Sequence, residues 1–201
     1  AKLPSVTSIL SLTKSEEDKA ALANWRERVG LKEANRIKTE ASTRGTLMHS
    51  YIEDFLRGRV NESFFETNEQ YKIMAKEIID KGLNGRLEEI YGIEETIYYP
   101  DQYAGTADLL AKMNGVDVCI DFKQANKPKK SDFIQDYFLQ LGAYTLGHDV
   151  VHGTKMKAGI ILLCTQDILF QEFKIEGAEL EMYQNLFMGR VKKFYELNNI
   201  S

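Results

Sequence analysis

A tight turn at Asn114-Gly115 is the sequence feature that most limits how this chain can fold. This dipeptide is the preferred centre of a two-residue β-hairpin loop, and alternating apolar residues lie on both sides of it, across residues 105–124. The turn fixes which residues face one another, because Met113 then pairs with Val116 and every further pair is counted outward from them. The sequence therefore predicts an antiparallel hairpin of defined register.

Two aspartates come face to face in this register. Asp108 is expected directly opposite Asp121 and Thr106 opposite Lys123, with all four side chains on one face of the hairpin. Opposed residues hold their Cβ atoms about 5 Å apart, so two ionised carboxylates would repel by roughly 3 kcal/mol in a protein-like dielectric. The pair is tolerable if one carboxyl keeps its proton or if a cation lies between the two. We favour the cation, since hard oxygen ligands suit Mg²⁺ or Mn²⁺.

The opposite face of the hairpin is apolar along its whole length. Its residues are Ala107, Leu109, Ala111 and Met113 on the first strand and Val116, Val118, Ile120 and Phe122 on the second. A surface of this kind must pack on a core. The acidic face is then the only one left for chemistry.

The composition is that of a folded protein with a sizeable core. The chain has 201 residues, of which 43% are hydrophobic, and a formal net charge of −4. The length favours a single domain over residues 1–201, mainly helical over 1–91 and built on a sheet over 92–201. The negative net charge argues against a nucleic-acid partner, because such proteins usually carry a basic surface.

Basic residues are nevertheless concentrated in two places. One group is Lys123, Lys127, Lys129 and Lys130, beside the acidic pair, and the other is Arg26, Arg28, Lys32, Arg36, Lys38 and Arg44. A run of charges is more often a solvated surface than a binding site. The distribution of charge therefore leaves a nucleic-acid partner open.

Cysteine usage and hydropathy limit the class of protein further. Cys119 and Cys164 lie in predicted strands without CxxC spacing, so we expect small buried apolar residues in a reducing compartment and no iron–sulfur cluster. No apolar run has membrane-spanning length, and the first ten residues lack the features of a secretory signal. These features predict a soluble intracellular protein with no membrane partner.

Helices are predicted over most of the first half of the chain. Ser5 or Thr7 can cap a short helix through Leu12, and Ser15 opens a second one that carries Trp25.

Two longer helices are predicted next. The first covers residues 43–58, and His49 lies beside its apolar stripe. The second runs from about Asn68 to Tyr91, with a break near residues 82–85.

The second half of the chain is predicted to form a sheet. Strands are expected over residues 93–99, 103–113 and 116–123, then a helix over 132–146, strands over 157–165 and 168–174, and a last helix over 177–197. This order predicts an α/β fold with a central mixed β-sheet flanked by helices and an N-terminal helical elaboration.

The acidic residues and the element order together resemble a known superfamily. Asp108 followed by residues 121–123, Asp-Phe-Lys, resembles the metal-binding core of the PD-(D/E)XK nucleases, and the element order is similar to their restriction-endonuclease-like core. Four segments resemble the motifs of RecB-type exonucleases: GxxxH at 45–49, GTAD at 105–108, IDFK at 120–123 and QxxxY at 140–144. Four motifs in the right order are far more specific than any one alone.

The sequence is also similar, over most of its length, to the family of mitochondrial genome maintenance exonucleases and their phage-encoded relatives. This resemblance implies a metal-dependent exonuclease acting on single-stranded DNA in replication, recombination or repair. It implies that Lys123 is the catalytic lysine and that the metal ligands are His49, Asp108, Asp121 and the backbone carbonyl of Phe122. Gln124 stands where the family usually has threonine. A phage-encoded member would act in the host cytoplasm and an organellar one in the mitochondrial matrix.

The chemistry of these residues fits the resemblance. A divalent ion held by Asp108 and Asp121 can polarise a phosphodiester oxygen and acidify a bound water. Lys123 projects to the same side of its strand and can orient that water or neutralise charge in the transition state. The sequence leaves open whether this lysine acts as a base or as a fixed charge.

Several of these residues also have a purely structural interpretation. His49 alone would be a half-buried structural histidine more often than a ligand, and Tyr144 fits a core position as well as a substrate contact. Glu95 is a further acidic candidate, although Glu94 and Glu95 also fit an exposed strand end.

Candidate substrate contacts are basic, amide or aromatic side chains. They are Arg44, Gln124, Lys127, Lys129, Lys130, Gln140 and Tyr144, with Trp25 as a candidate platform for an unpaired base. The resemblance implies that the two N-terminal helices form a cover that admits a single strand.

Two other functions stay open. One is a nuclease-fold module that binds single-stranded DNA without cleaving it, which the intact acidic pair and lysine argue against. The other is an endonuclease or a duplex-specific exonuclease of the same superfamily.

Overall fold

The computed structural model describes residues 2–60 and 69–198. In chain order its elements are α1 (Val6–Leu12), α2 (Glu16–Val29), α3 (Leu31–Leu56), α4 (Gln70–Ile78), β1 (Leu87–Tyr99), β2 (Tyr103–Met113), β3 (Val116–Ala125), α5 (Gln135–His152), β4 (Ala158–Thr165), β5 (Phe170–Glu176) and α6 (Gly177–Leu197). A π-helical turn, Ile79–Leu83, follows α4, and a 3₁₀ turn, Ser131–Phe133, precedes α5. The predicted helix start at Asn68 lies outside the described residues.

The sheet is mixed, as the sequence predicts. Its strand order is β1-β2-β3-β4-β5, with β3 and β4 parallel and the other neighbours antiparallel. Helix α5 makes the crossover between the two parallel strands, which need a long connection of this kind. The protein therefore has the predicted α/β class.

The hairpin forms with the predicted turn. Met113 pairs with Val116, and both turn residues have positive φ angles, 50° at Asn114 and 76° at Gly115. The β2–β3 ladder runs outward from the turn to the pair Leu109–Ile120 and stops there. Asp108 and Asp121 lie one position beyond the last pair of this ladder. The other edge of β3 stays paired with β4 at this point. We call this region the open end of the hairpin, and the region around Asn114-Gly115 the turn end.

Each face of the sheet is covered by its own hydrophobic core. On one face α3 and α4 contribute Met48, Ile52 and Met74, which pack with Leu109 and Ile120 of the hairpin. On the other face α1, α5 and α6 cover the sheet, and the buried residues there include Tyr103, Leu110, Cys119, Leu141 and Phe187. The expectation that the acidic face would be free is therefore wrong over most of its length, because α5 packs on it. The turn end, with the exposed Asp117, and the cleft at the open end are left accessible.

Helix α3 begins earlier than the sequence indicates. It starts at Leu31, directly after Gly30 with φ 83°, so Thr43 lies inside the helix and not at its start. Arg36 supports the added turns by pairing with Glu33 and Glu40 on the same helix.

Strand β1 also begins earlier than predicted. Residues 87–91, which were expected in a helix, pair with β2, and this places the start of the sheet before residue 92. Cross-strand pairing outweighs the local helical pattern. The ladder shifts register twice, between Leu87 and Glu89 and between Ile90 and Gly92.

Helix α2 stands apart from both cores. It begins at Ser15, whose hydroxyl accepts a hydrogen bond from the Asp18 N–H as predicted, but none of its residues is buried. Cys119 and Cys164 are buried and free of disulfides. No helix in the described part of the chain is long and apolar enough to cross a membrane.

Candidate active site

The open end of the hairpin brings the two aspartates and the lysine together. Asp121 is only 4% exposed, and its Oδ2 atom lies 2.7 Å from the Lys123 ammonium nitrogen. Asp108 reaches across the gap between the strands, where its Oδ2 accepts a hydrogen bond of 2.8 Å from the Phe122 N–H. The carboxylate takes the place of a ladder contact, which explains how the two strands separate here without leaving this N–H unpaired.

One oxygen at this end has no hydrogen bond. Asp121 Oδ2 is buried, and although it lies close to Lys123 Nζ, the contact has no hydrogen-bonding geometry. We regard the pair as an ion pair only, because distance alone does not make a hydrogen bond. A buried carboxylate oxygen with this lack of donors is costly for a fold and calls for an explanation.

His49 comes to the site from helix α3. Its Nδ1–H donates to the Gly45 carbonyl at 2.8 Å, one turn earlier, and its Nε2 lies 3.1 Å from Asp108 Oδ2. Burial disfavours the charged imidazolium, but the hydrogen bond and the negative charge of Asp108 outweigh it and raise the pKa of His49 to about 9. With no other cation bound, the histidine is therefore a positive partner of Asp108.

The charged groups at the open end shift one another's pKa values. Burial and then the charge of Asp121 raise the pKa of Asp108, and the contact with His49 opposes the shift. Burial opposes the charged form of Lys123, but the neighbouring Asp121 raises the pKa of this lysine above its ordinary value. The negative charges of the two aspartates are thus balanced by the positive charges of the histidine and the lysine.

Helix α5 fixes the position of Lys123. Gln140 Oε1 accepts a hydrogen bond of 2.7 Å from the ammonium group, and the ring of Tyr137 lies 4.8 Å from the same nitrogen. Gln140 is one of the residues predicted from the sequence, whereas Tyr137 is not, and no local pattern indicates its place over Lys123. Tyr144 is 5% exposed and packs against Gly105, where a Cβ atom would lie 2.8 Å from its ring.

An open cleft of about 580 Å³ lies over these groups. Its lining includes Ala41, Gly45, His49, Glu53, Glu94, Asp108, Lys123 and Gln124. Glu94, and not Glu95, is the β1 glutamate in the cleft. Burial and then the charge of Asp108 raise the pKa of Glu94, which adopts a φ of 50°. Glu94 lies between the ladder pairs Ile93–Leu109 and Glu95–Ala107, level with Asp108 on the neighbouring strand.

The remaining sequence-predicted residues lie at or beyond the rim of this cleft. Arg44 hydrogen-bonds to Gln124 beside the cleft. Lys127 and Lys130 are exposed in the loop after β3, whereas the backbone of Lys129 is held by Gln171. Trp25 is half-buried on α2. The structure therefore groups the acidic pair, Lys123, His49, Gln124 and Gln140, and leaves the loop lysines and Trp25 apart from them.

The donors at the open end fit a hard divalent cation. They are carboxylate oxygens, and Asp121 Oδ2 is a buried acceptor without a hydrogen bond, in ion-pair contact with Lys123, that a cation would satisfy. Within residues 2–60 and 69–198, however, no three His, Cys, Asp or Glu side chains already converge as a metal cluster. In the structure, His49 contacts Asp108 and Lys123 contacts Asp121, each at a carboxylate oxygen that would also be available to a cation.

Fold and site together define a class. A mixed five-stranded sheet flanked by helices, with two aspartates and a lysine at the open end of its central hairpin, resembles the restriction-endonuclease-like arrangement of the PD-(D/E)XK nucleases.

Curated proteins that are similar to this chain carry names that agree with a nuclease class. The chain is 25% identical over 179 residues to mitochondrial genome maintenance exonuclease 1 of Xenopus tropicalis, an alignment that covers 82% of this chain and 49% of that protein. The human protein of the same name is 26% identical over 181 residues, covering 82% and 50% of the two chains. The chain thus spans about half the length of these relatives.

Among solved structures, a phage-related exonuclease from Haemophilus somnus 129PT is 15% identical, with 100% of this chain and 97% of that chain covered at a TM-score of 0.43. No protein-family model matches the sequence. The curated relatives, the fold and the site support a PD-(D/E)XK exonuclease-like family for this chain.

Proposed function

We propose that this protein is a divalent-metal-dependent exonuclease that hydrolyses the phosphodiester bonds of single-stranded DNA. The observation that carries the proposal is the open end of the hairpin, where the buried Asp121 has an oxygen without a hydrogen bond and lies beside Asp108 and Lys123. A fold gains nothing from such an arrangement on its own account. The names of the curated relatives support the exonuclease class.

Each residue has a defined part in this proposal. Asp108 and Asp121 hold the cation through hard oxygen ligands, with His49 and the Phe122 carbonyl as further ligands. Mg²⁺ or Mn²⁺ bound there supplies Lewis-acid polarisation of the phosphate and a water of lowered pKa. Lys123 keeps its proton and places a fixed ammonium against the charge that develops on the phosphate, because Gln140 and Tyr137 hold it in position.

The preference for a single strand rests on the N-terminal helices. Helix α2 has no fully buried residue, and most of its surface is exposed. It carries Trp25, Arg26 and Arg28, which combine a ring for stacking on an unpaired base with charges for the phosphates. Lys127 and Lys130 extend the basic surface beyond the cleft. In this proposal, the protein acts in DNA replication, recombination or repair.

The test is digestion of linear and closed-circular single-stranded DNA with Mg²⁺ or Mn²⁺ and with EDTA. We expect cleavage of the end-labelled linear strand only, and none in EDTA. Asp121→Asn should remove the activity. Asp117→Asn is the matched control, because Asp117 lies on the same strand near the turn and is exposed, and it should cleave like the wild type.

Four results would contradict the proposal in different ways. Binding without any metal-dependent cleavage would indicate a DNA-binding module. Cutting of the circle would indicate an endonuclease, and preference for duplex ends would indicate a duplex exonuclease. Equal cleavage rates for Asp121→Asn and the wild type would contradict the assignment of Asp121 as a metal ligand.

A further inference from the structure

Arg44 is a half-buried arginine that has no acidic partner in the described part of the chain. Other arginines that are held in place pair with carboxylates: Arg36, Arg57, Arg59, Arg86 and Arg190. Arg44 instead donates from Nε to the Gln124 side-chain oxygen at 3.0 Å and from Nη2 to that of Asn126. Both acceptors are neutral amides, so the guanidinium is oriented while its charge is left without compensation.

The two amides are themselves fixed. Gln124 lies at the end of β3 against Gly45, where a Cβ atom would stand 3.2 Å from the glutamine Cγ. The backbone carbonyl of Asn126 accepts a hydrogen bond of 3.2 Å from the Gln166 side chain. Because both partners are anchored, the guanidinium lies in one orientation before any ligand binds, which reduces the entropy lost on binding.

The position of Arg44 is at the rim of the catalytic cleft. Gly45 and Gln124 line that cleft together with Lys123, His49 and Asp108. The carboxylate one helical turn before Arg44, Glu40, is already bound by Arg36. The uncompensated charge therefore lies beside the site where the backbone of a bound strand would pass.

We propose that Arg44 binds a backbone phosphate of the nucleic-acid substrate adjacent to the one that is cleaved, and that Gln124 and Asn126 are its positioning residues. A guanidinium suits a phosphate because it offers parallel N–H donors, and a carboxylate in place of either amide would neutralise it. This inference rests on the proposed nuclease function for the identity of its ligand. It also gives a role to Gln124, whose side-chain oxygen accepts the Arg44 Nε–H.

The decisive variant is Asn126→Asp, which keeps a hydrogen-bond acceptor for Arg44 but adds a negative charge. Binding of a short fluorescein-labelled oligothymidylate is measured in EDTA at several salt concentrations, so that no cleavage occurs. We expect Asn126→Asp to melt at or above the wild-type temperature and to bind about tenfold more weakly. The slope of log K against log salt should fall by about 0.7, the value for one lost phosphate contact on a single strand.

Two further variants separate charge from orientation. Arg44→Gln should reduce the slope of log K against log salt by the same amount without adding a negative charge. This variant replaces Asn126→Asp in the test if Asn126→Asp folds poorly. Asn126→Ala should bind more weakly with the wild-type slope, because the charge persists while its orientation is lost. Asn114→Asp is the control, because it makes the same change of charge at the turn end, far from the cleft. Aspartate is also accepted in this type of turn, so the affinity and the salt slope of this variant should equal those of the wild type.

Cleavage kinetics provide the second readout. With Mg²⁺, Asn126→Asp and Asn126→Ala should raise KM and change kcat little, because both alter a binding contact remote from the reacting atoms. Wild-type affinity and slope in Asn126→Asp and Arg44→Gln, or an equal loss in Asn114→Asp, would overturn the inference. A wild-type protein that never cleaves DNA but still shows these binding differences would refute the nuclease proposal while leaving the phosphate site in place.

Discussion

The two ends of one hairpin use the same residue types for opposite purposes. At the turn end Lys112 lies across from Asp117, both in contact with water, and the ladder is closed. At the open end Lys123 and Asp121 lie on a single strand, buried and in contact, and the ladder is absent. An exposed charge pair contributes little to stability, whereas a buried one requires compensation. Position relative to solvent, and not composition, separates the structural end from the chemical end.

The largest expected effect on activity comes from replacing lysine by glutamine at each end in turn. Lys123→Gln should lower the rate of metal-dependent DNA cleavage by at least about a hundredfold, because it removes the ammonium group beside the phosphate. Lys112→Gln should leave the rate within about twofold. Initial rates of label release from linear single-stranded DNA measure both, and a similar rate for the two variants would remove the distinction between the ends.

The next effect concerns the last closed pair before the open end. Leu109 is fully buried opposite Ile120, and Leu109→Ala should lower the free energy of unfolding by about 2 to 5 kcal/mol through lost contacts and a residual cavity. Leu47→Ala makes the same change at a side chain that is 42% exposed and should cost less than about 0.5 kcal/mol. Urea unfolding measures both. A small loss for Leu109 would mean that the ladder does not anchor the open end.

A smaller effect tests the turn itself. Gly115 has a φ of 76° with no atom within 4 Å of an added Cβ, so Gly115→Ala should cost about 1 kcal/mol through backbone strain alone. Gly189 lies within α6 with similar free space, and Gly189→Ala should stabilise the protein by up to about 1 kcal/mol. Thermal melting should therefore show shifts of opposite sign, and equal signs would contradict the assigned turn geometry.

The smallest effect is a pH dependence near the turn end. Burial and then the neighbouring His152 lower the pKa of His148, so the unfolded chain binds a proton there more readily than the folded one. The stability associated with the neutral ring is present above pH 6.5 and is lost as the pH falls below it. The difference in unfolding free energy between wild type and His148→Gln, measured in EDTA at several pH values, should shrink on acidification. A constant difference would mean that the ring titrates normally.

Local signals in the sequence predicted the hairpin well and the rim of the cleft poorly. The Asn114-Gly115 dipeptide and the capping serines act through neighbouring residues, so register and helix starts followed from them. The choice between Glu94 and Glu95 depends on which of them lies level with Asp108, and only the pairing with β2 reveals this. The early start of β1 has the same origin, since pairing partners decide it.

The site shows the same division. Asp108, Asp121 and Lys123 could be grouped from the register of one turn, because all three belong to the hairpin. The neutral partners of Arg44 could not be predicted, since they come from a strand end and a loop that no local pattern connects to α3. The position of Tyr137 over Lys123 likewise depends on how α5 packs on the sheet.

The open end also differs from the turn end in how much of the chain must be assembled around it. The turn closes over neighbouring residues, whereas His49 meets Asp108 across 59 positions and Arg44 meets Gln124 across 80. Closing such long loops is slow and costs entropy before any contact compensates for it. A growing chain that has just completed its hairpin already carries both aspartates, but Lys123 gains its support only after α5 has been synthesised and packed. Assembly of the proposed hydrolytic centre is therefore tied to the completion of the fold.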